Sequence, residues 1–199
     1  MQGFRQGGNN PIHLYLSGNK LAGNMSAFES FIEQCSTSPI VNRLVSFGIG
    51  LNSFVELPES IAQLYALKRL FVGENPLNPT TIERICTNMP FLESLDLEGC
   101  ELEGLPASFE NLRLLRVLYV KGNLLTKKDL GLIQKLSNLE ELHIGPADIT
   151  CTDIIKTISR LPKIRKVWIE KNTKRGDIST LEKYFETFPQ LCSSDVEIY

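Results

Sequence analysis

The chain has 199 residues, of which 42% are apolar and 22% charged, and its net charge is −2. This composition is ordinary for a soluble globular protein, and the low net charge argues against a general attraction to nucleic acid or anionic membranes. No apolar run approaches the ~20 residues that a membrane span needs. Residues 1–8 lack the apolar stretch of a signal peptide, so we expect a cytoplasmic protein or a piece of one.

The cysteines are few and widely spaced. No two of them form a Cys-x-x-Cys pair, and their number is odd. This pattern predicts buried, reduced thiols and argues against a disulfide framework or a zinc site. The five are Cys35, Cys86, Cys100, Cys151 and Cys192.

One eleven-residue pattern recurs seven times along the chain. It reads apolar, two free positions, apolar, one free, apolar, two free, Asn, one free, apolar. The best copies begin at Leu67 and Leu115. The seven copies begin at Pro11, Leu44, Leu67, Leu92, Leu115, Leu139 and Ile164. The alternating centre of each copy predicts a short strand with one buried face, and stacked copies would bury that face jointly.

The Asn position of the pattern marks a turn after each strand. In order it holds Asn19, Asn52, Asn75, Cys100, Asn123, Ala147 and Asn172. Asn or Cys there, after Leu-x-Leu, resembles the leucine-rich repeat family over about residues 11–198. The resemblance implies a right-handed α/β solenoid with a parallel sheet on its concave face and a ladder of Asn side chains between turns. Cys100 is an accepted variant in that family, whereas Ala147 implies an irregular turn.

The segments between strands are of two kinds. Leu57-Pro58 and Leu105-Pro106 open short segments that we predict to be extended or 3₁₀. The other five segments predict helices on the convex side. Each helix would start with a capping box, at Ser26–Glu29, Thr80–Glu83, Thr126–Asp129, Thr150–Asp153 and Ser179–Glu182.

The helical periodicity also predicts which side chains face the core. The predicted inward residues are Phe28, Phe31 and Ile32; Ile82, Ile85 and Cys86; Leu130, Ile133 and Leu136; Ile154, Ile155 and Ile158; and Leu181, Tyr184, Phe185 and Phe188.

The domain organisation follows from where the pattern applies. Residues 1–10 are predicted to be a flexible tail, and residues 11–199 a single repeat domain of about seven repeats plus a partial last strand at Val196–Ile198. A repeat array needs terminal caps, and a tail of mostly Gly, Gln and Asn cannot supply one. We therefore expect the chain to be a piece of a longer protein, and flanking domains of that same protein are candidate partners of the repeat domain.

The free position at the centre of each strand points away from the core and carries unusual residues. In order these are Tyr15, Gly48, Phe71, Asp96, Tyr119, His143 and Trp168. Four of the seven are aromatic, where the chain average of 8% predicts about 0.6. Such a row is typical of a protein interface, although packing between neighbouring strands would also explain it.

The flanking free positions supply charges. We take as candidate partner-binding residues Tyr15, Arg69, Phe71, Asp96, Glu98, Tyr119, Lys121, Glu141, His143, Lys166 and Trp168. The first hypothesis is a non-catalytic module that binds a protein through its concave face, with no cofactor, metal or catalytic residue and no nucleic-acid or membrane partner.

Two other functions remain open. The Leu-Pro repeats resemble those of bacterial effectors and of intracellular scaffolds, which implies a recognition arm of a larger effector, scaffold or signalling protein, for example of the ubiquitin-ligase type. A bacterial effector would act in a host cytoplasm. A remote alternative is a stand-alone hydrolase or transferase built around His143, Glu141 and Asp96.

Overall fold

The computed structural model describes residues 10–145, 149–169 and 196–198. Its centre is one parallel sheet whose strands follow one another in chain order. The strands are β1 (Ile12–Tyr15), β2 (Leu44–Gly48), β3 (Arg69–Phe71), β4 (Ser94–Asp96), β5 (Val117–Tyr119), β6 (Glu141–Ile144), β7 (Lys166–Ile169) and β8 (Val196–Ile198). The sheet lines the concave face of an α/β solenoid, as the sequence predicted.

The connections between strands form the convex side. The described helices are α1 (Met25–Thr37), α2 (Pro79–Asn88), α3 (Lys127–Ile133) and α4 (Cys151–Ile158). The 3₁₀ segments are Leu21–Asn24, Pro39–Asn42, Glu59–Gln63 and Ala107–Asn111. Glu59–Gln63 and Ala107–Asn111 follow Pro58 and Pro106, so the prediction of 3₁₀ structure after the two Leu-Pro pairs is confirmed.

The core is a stack of equivalent apolar columns. Leu70 on β3 pairs with Leu95 on β4, which pairs with Leu118 on β5, and each side chain is fully buried. The column continues through Leu142 to Val167. Because each strand is only a few residues long, no single repeat could bury these side chains alone, and the stack supplies the core.

Helix packing agrees with the predicted inward faces. All the predicted inward residues of α2, α3 and α4 are buried, including Cys86, while Phe31 of α1 is half-buried against the core. Cys35 and Cys100 are also buried, as the sequence predicted. The residues predicted to pack from a fifth helix lie outside the described residues, as do Cys192, Ala147 and Asn172.

Two of the predicted helix starts are wrong. The side chain of Asn24 caps α1 by accepting from the Ala27 N–H (3.3 Å), and Ser26 lies inside the helix. Asn78 caps α2 by accepting from the Thr81 N–H (2.8 Å), one residue before Pro79. An Asn oxygen serves as well as a hydroxyl at this position, so the earlier Asn takes the role.

The capping boxes of α3 and α4 are confirmed. The Asp129 carboxylate accepts from the backbone N–H of Thr126 (2.7 Å) and from its hydroxyl (2.7 Å). Asp153 accepts in the same way from Thr150. The predicted box at Ser179–Glu182 lies outside the described residues.

Buried side chains join successive turns along one end of the strands. We call Asn52, Asn75, Cys100 and Asn123 the turn column. The amide of Asn75 donates to the carbonyls of Ile49 (3.1 Å) and Val72 (2.8 Å), and its oxygen accepts from the N–H groups of Asn52 and Phe54 (both 3.0 Å). The predicted Asn ladder is therefore confirmed at these residues.

The backbone reverses sharply just before the turn column. Leu51, which precedes Asn52, has a φ of +56°, and Glu74, which precedes Asn75, has the same value. Gly99 and Gly122 hold the equivalent positions before Cys100 and Asn123, with φ of +60° and +71°. A left-handed conformation costs a residue with a side chain more than it costs glycine.

Candidate functional site

The predicted row of outward-facing residues lies in a single register across the sheet. Tyr15 pairs with Gly48, Gly48 with Phe71, and each next residue follows on the next strand. We call this set the concave row: Tyr15, Gly48, Phe71, Asp96, Tyr119, His143 and Trp168. With strands about 4.8 Å apart, the row runs for about 29 Å.

The first half of the concave row is an aromatic platform. The ring centroids of Tyr15 and Phe71 lie 6.1 Å apart across β2. Gly48 permits this contact, because a Cβ there would lie 2.6 Å from Cδ1 of Tyr15. The Tyr15 hydroxyl is 3.2 Å from the Ser46 hydroxyl, and 60% of the residue's surface is exposed. The platform thus presents aromatic surface to solvent, and the Tyr15 ring lies against the backbone of Gly48.

The second half of the concave row is a stack of three rings. The centroids of Tyr119 and His143 lie 4.2 Å apart, and those of His143 and Trp168 lie 5.2 Å apart with the planes 14° from parallel. Lys166 places Nζ 4.7 Å from the Trp168 ring centroid, within the range of a cation–π contact. All three rings are half-buried, so their outer parts remain open to a partner.

Charged side chains fix this stack from one side. The Glu141 carboxylate lies 2.7 Å from Nε2 of His143 and 3.3 Å from Nζ of Lys166. Burial raises the pKa of Glu141, but the hydrogen bond to His143 and the charge of Lys166 outweigh it, so the net pKa is lowered. Glu141 is therefore a carboxylate already satisfied within the protein.

The centre of the concave row is acidic. Asp96 lies between Phe71 and Tyr119 in the register and is half-buried. Its Oδ1 accepts from the Glu98 N–H at 2.9 Å. Burial raises the pKa of Asp96 above its ordinary value, and the Glu98 N–H lowers it only in part. Asp96 therefore separates the two aromatic halves with a carboxylate that water solvates poorly.

The remaining candidates differ in their contacts. Lys121 and Glu98 form an ion pair at 3.6 Å beside Asp96. Arg69 is exposed on β3 and forms no ion pair with any described residue. The structure thus gathers the candidates into an aromatic platform, an acidic centre and a ring stack, and Arg69 lies on the same strand as Phe71, two residues before it.

The geometry offers little to catalysis. His143 and Glu141 are in contact, but Asp96 lies two strands away from His143. Within the described residues, no serine, threonine or cysteine hydroxyl or thiol bonds to the His143 ring, and no group of three His, Cys, Asp or Glu residues could hold a metal ion. The imidazole is stacked between two rings and bound to a carboxylate, an arrangement that positions it as a contact surface.

The sequence analysis missed a row of charged residues that lie directly before strands β3 to β7, at the N-terminal ends of the strands. We call Lys68, Glu93, Arg116, Glu140 and Arg165 the charge ladder. Lys68 lies 2.7 Å from Glu93, and Arg116 donates twice to Glu140, at 2.8 and 3.1 Å. Arg165 also pairs with Glu140. The signal was present in the sequence, since the second residue of each repeat alternates in sign from Lys68 onward.

A groove of about 500 Å³ lies away from the concave row, between α1 and residues 53–59. Its lining includes Met25, Phe54 and Leu57, with Glu29, Glu56 and Glu59 around them. Arg84 neutralises part of this acidic charge, because its guanidinium lies 3.3 Å from the Glu56 carboxylate and 3.6 Å from the Glu59 carboxylate. The sequence pattern gave no indication of this groove.

Comparison with known proteins assigns the repeats. Residues 91–112 match the family described as Leucine Rich Repeat. The copy of the repeated pattern that begins at Leu92 therefore matches the leucine-rich repeat family. One curated relative, the receptor-like protein EIX1 of Solanum lycopersicum, is 28% identical over 113 residues. That match covers 56% of this chain and 11% of the relative, so the chain spans a small part of that protein's length.

Solved structures share the leucine-rich-repeat fold. An internalin of Listeria monocytogenes superposes with a TM-score of 0.60 at 20% identity, over 81% of this chain and 42% of the internalin. A leucine-rich repeat protein of Leptospira interrogans gives 0.55 at 23% identity, over 79% of this chain and 37% of that protein. The chain spans less than half of either structure. In the part of the chain that is described, no helix is long and apolar enough to cross a membrane.

Proposed function

We propose that the chain is a non-catalytic module that binds a protein partner through the concave row. The observation that carries the proposal is the pair of aromatic clusters, each held in place yet partly exposed, on either side of Asp96. Aromatic residues are enriched at the energetic centres of protein interfaces, and polar residues form the rim around them. Leucine-rich repeat domains are generally interaction modules, which agrees with this reading.

Cross-strand packing alone would explain part of the row but not its exposure. Tyr15 keeps 60% of its surface in solvent although it contacts Phe71. The Tyr119–His143–Trp168 stack is also contacted by Glu141, through His143, and by Lys166, over the Trp168 ring. Rings ordered before binding lose less side-chain entropy when a partner arrives.

The test replaces Phe71, Tyr119 and Trp168 together by Ala. Partners captured by the wild-type protein are identified, purified and titrated against both proteins. We expect the triple variant to bind at least about tenfold more weakly, because truncated interface anchors each cost more than ~1 kcal/mol. Unchanged affinity in a folded variant would refute the concave site.

A matched control uses three exposed apolar residues that precede strands β3, β4 and β5. Tyr65, Phe91 and Leu114 are exposed by 55%, 60% and 46% and lie outside the concave row. Replacing these three by Ala removes similar apolar area elsewhere. The affinity of this variant should equal that of the wild type.

A second candidate is the recognition arm of a larger effector, scaffold or signalling protein. It is supported by the coverage figures, since the chain spans 11% of its curated relative and less than half of the two solved structures. Reading the genomic frame on both sides of residues 1–199 tests it directly, and stop codons flanking this stretch would remove it. The cytoplasmic location predicted from the sequence stays a prediction that cell fractionation can test.

A further inference from the structure

We propose that the concave row binds an extended segment of its partner that places a lysine or arginine on Asp96 and an apolar side chain on each side of that cation. This inference rests on the proposed function and names the chemistry of the partner. It follows from the charges that the protein leaves unmatched, from the rings beside Asp96 and from the spacing of the strands.

Asp96 is the acidic residue of the concave row. Glu141 is paired with Lys166 and His143, and Glu98 is paired with Lys121. Among the described residues, no lysine, arginine or histidine forms an ion pair with Asp96. Glu74 and Glu98 add negative potential at the same point. A partner cation would therefore gain a half-buried carboxylate as its counter-ion.

The two neighbours of Asp96 in the row are aromatic. Phe71 lies one strand before it and Tyr119 one strand after it, so each is about 5 Å away along the row. Ring faces attract cations, and they attract them more strongly when water is displaced. Carboxylates surround Tyr119 as well: burial raises the pKa of its hydroxyl, and the charges of Glu141, Asp96 and Glu98 raise it further.

The backbone beside Asp96 fixes where its carboxylate lies. Gly73 follows β3 on the neighbouring repeat, and a Cβ there would lie 2.9 Å from Oδ1 of Asp96. Any larger residue at Gly73 would crowd the carboxylate. Glycine at this position therefore lets the Asp96 carboxylate lie against the backbone, where the Glu98 N–H holds it.

The spacing sets the form of the ligand. In an extended chain, side chains on one face recur every two residues, about 6.7 Å apart. A cation on Asp96 would then place its second neighbours between Phe71 and Gly48 on one side, and between Tyr119 and His143 on the other. The expected sequence is apolar, any residue, Lys or Arg, any residue, apolar.

The test selects ligands from a random 12-residue peptide library displayed on phage, with the wild-type protein immobilised. Affinities of synthetic versions of the enriched peptides are then measured for variants with wild-type thermal unfolding midpoints. We expect enrichment of the apolar-x-cation-x-apolar pattern and at least about tenfold weaker binding to Asp96→Asn, since charge-assisted hydrogen bonds are lost. Asp96→Glu keeps the charge and should retain most of the binding.

The matched control is Glu33→Gln, which removes an exposed carboxylate of α1 on the convex side and should leave binding unchanged. Peptides that lack a cation, or that bind Asp96→Asn as tightly as wild type, while losing affinity for the Phe71, Tyr119 and Trp168 triple variant, would overturn this inference and leave the proposed function standing. Failure to enrich any peptide, or enrichment of peptides that ignore the triple variant, would count against both.

Discussion

The turn column and the concave row run across the same sheet at fixed positions of the same repeat, yet they differ in how their polar groups are used. The Asn75 side chain bonds within the protein through both its oxygen and its nitrogen. Asp96 accepts one backbone N–H and has no ion-pair partner among the described residues. The comparison teaches that a buried amide of the turn column is satisfied within the protein, whereas the Asp96 carboxylate of the concave row is satisfied only in part, as the proposed binding site requires.

The charge ladder falls between these two cases. Its members are at least partly exposed, as most of the concave row is, but they pair with one another along the N-terminal ends of the strands. Exposed ion pairs of this kind contribute little to stability. Exposure alone is therefore a poor guide to a binding site, and the more informative observation is a surface group without a partner inside the protein.

The largest expected effect lies in the turn column. Asn75→Ala would leave the N–H groups of Asn52 and Phe54 buried without their partner. The carbonyls of Ile49 and Val72 would lose one donor each but keep those of Asn52 and Cys100. Each orphaned group costs about 1–3 kcal/mol, so we expect a loss of at least about 2 kcal/mol in the free energy of unfolding, measured by urea titration.

The control for Asn75 is Asn88→Ala, at the exposed end of α2, where the amide donates only to the Arg84 carbonyl. We expect it to change the free energy of unfolding by less than ~0.5 kcal/mol. Equal costs for the two substitutions would contradict the distinction between the turn column and surface amides.

A medium effect of opposite sign is expected just before the turn column. Leu51 has a φ of +56° with 61% of its surface exposed, so its side chain strains the backbone and packs little. Leu51→Gly should therefore raise the free energy of unfolding by about 1 kcal/mol. Leu124 is equally exposed but is not among the described residues with positive φ, so Leu124→Gly should lower stability. A loss of stability in Leu51→Gly would show that the strain is absent.

The smallest effect concerns the charge ladder and appears only in acid. The hydrogen bonds from Arg116, and then those from Arg165, lower the pKa of Glu140 from 4.5 to about 2, against a smaller opposing effect of burial. Between these values the unfolded chain binds a proton that the folded protein does not, so the stabilisation is present above pH 4.5 and is lost as the pH falls toward 2.

We therefore expect the urea midpoint of wild type to exceed that of Glu140→Gln slightly at neutral pH. The difference should shrink below about pH 4.5 and also in high salt, which screens exposed pairs. The reference variant is Glu33→Gln, at a carboxylate with no ion-pair partner in the described ranges. A difference that stays constant from neutral pH to pH 2 would exclude the Arg116–Glu140–Arg165 contacts as its origin.

Most of the fold could be predicted from the sequence because the repeat pattern reports burial directly. The strand register, the 3₁₀ segments after Pro58 and Pro106 and the bonding of Asn52, Asn75 and Asn123 all follow from one repeated pattern. The starts of α1 and α2 did not follow, since Asn24 and Asn78 compete with nearby hydroxyls and only the local backbone decides between them.

The candidate site could be placed by sequence but not resolved into parts. Register alone put Phe71, Asp96 and Tyr119 side by side. Two features depend on side-chain rotamers, which no sequence pattern specifies. One is the stacking of His143 on Trp168, and the other is the contact of Glu141 with both His143 and Lys166. The charge ladder is also encoded in the sequence, since the second residue of successive repeats alternates in sign from Lys68 to Arg165.

The bonds of the turn column have a consequence for how such a chain can change length. The amides of Asn52, Asn75 and Asn123 each donate to two carbonyls of their own repeat and to one carbonyl of the repeat before it. The repeats that contain these three residues therefore offer their neighbours equivalent hydrogen-bonding groups. A repeat whose two ends fall at equivalent positions of the pattern could therefore be duplicated or deleted, and the hydrogen bonds of the turn column would form again between the new neighbours. The breadth of the ligand-facing surface would then evolve in whole strands of about 4.8 Å, independently of the core.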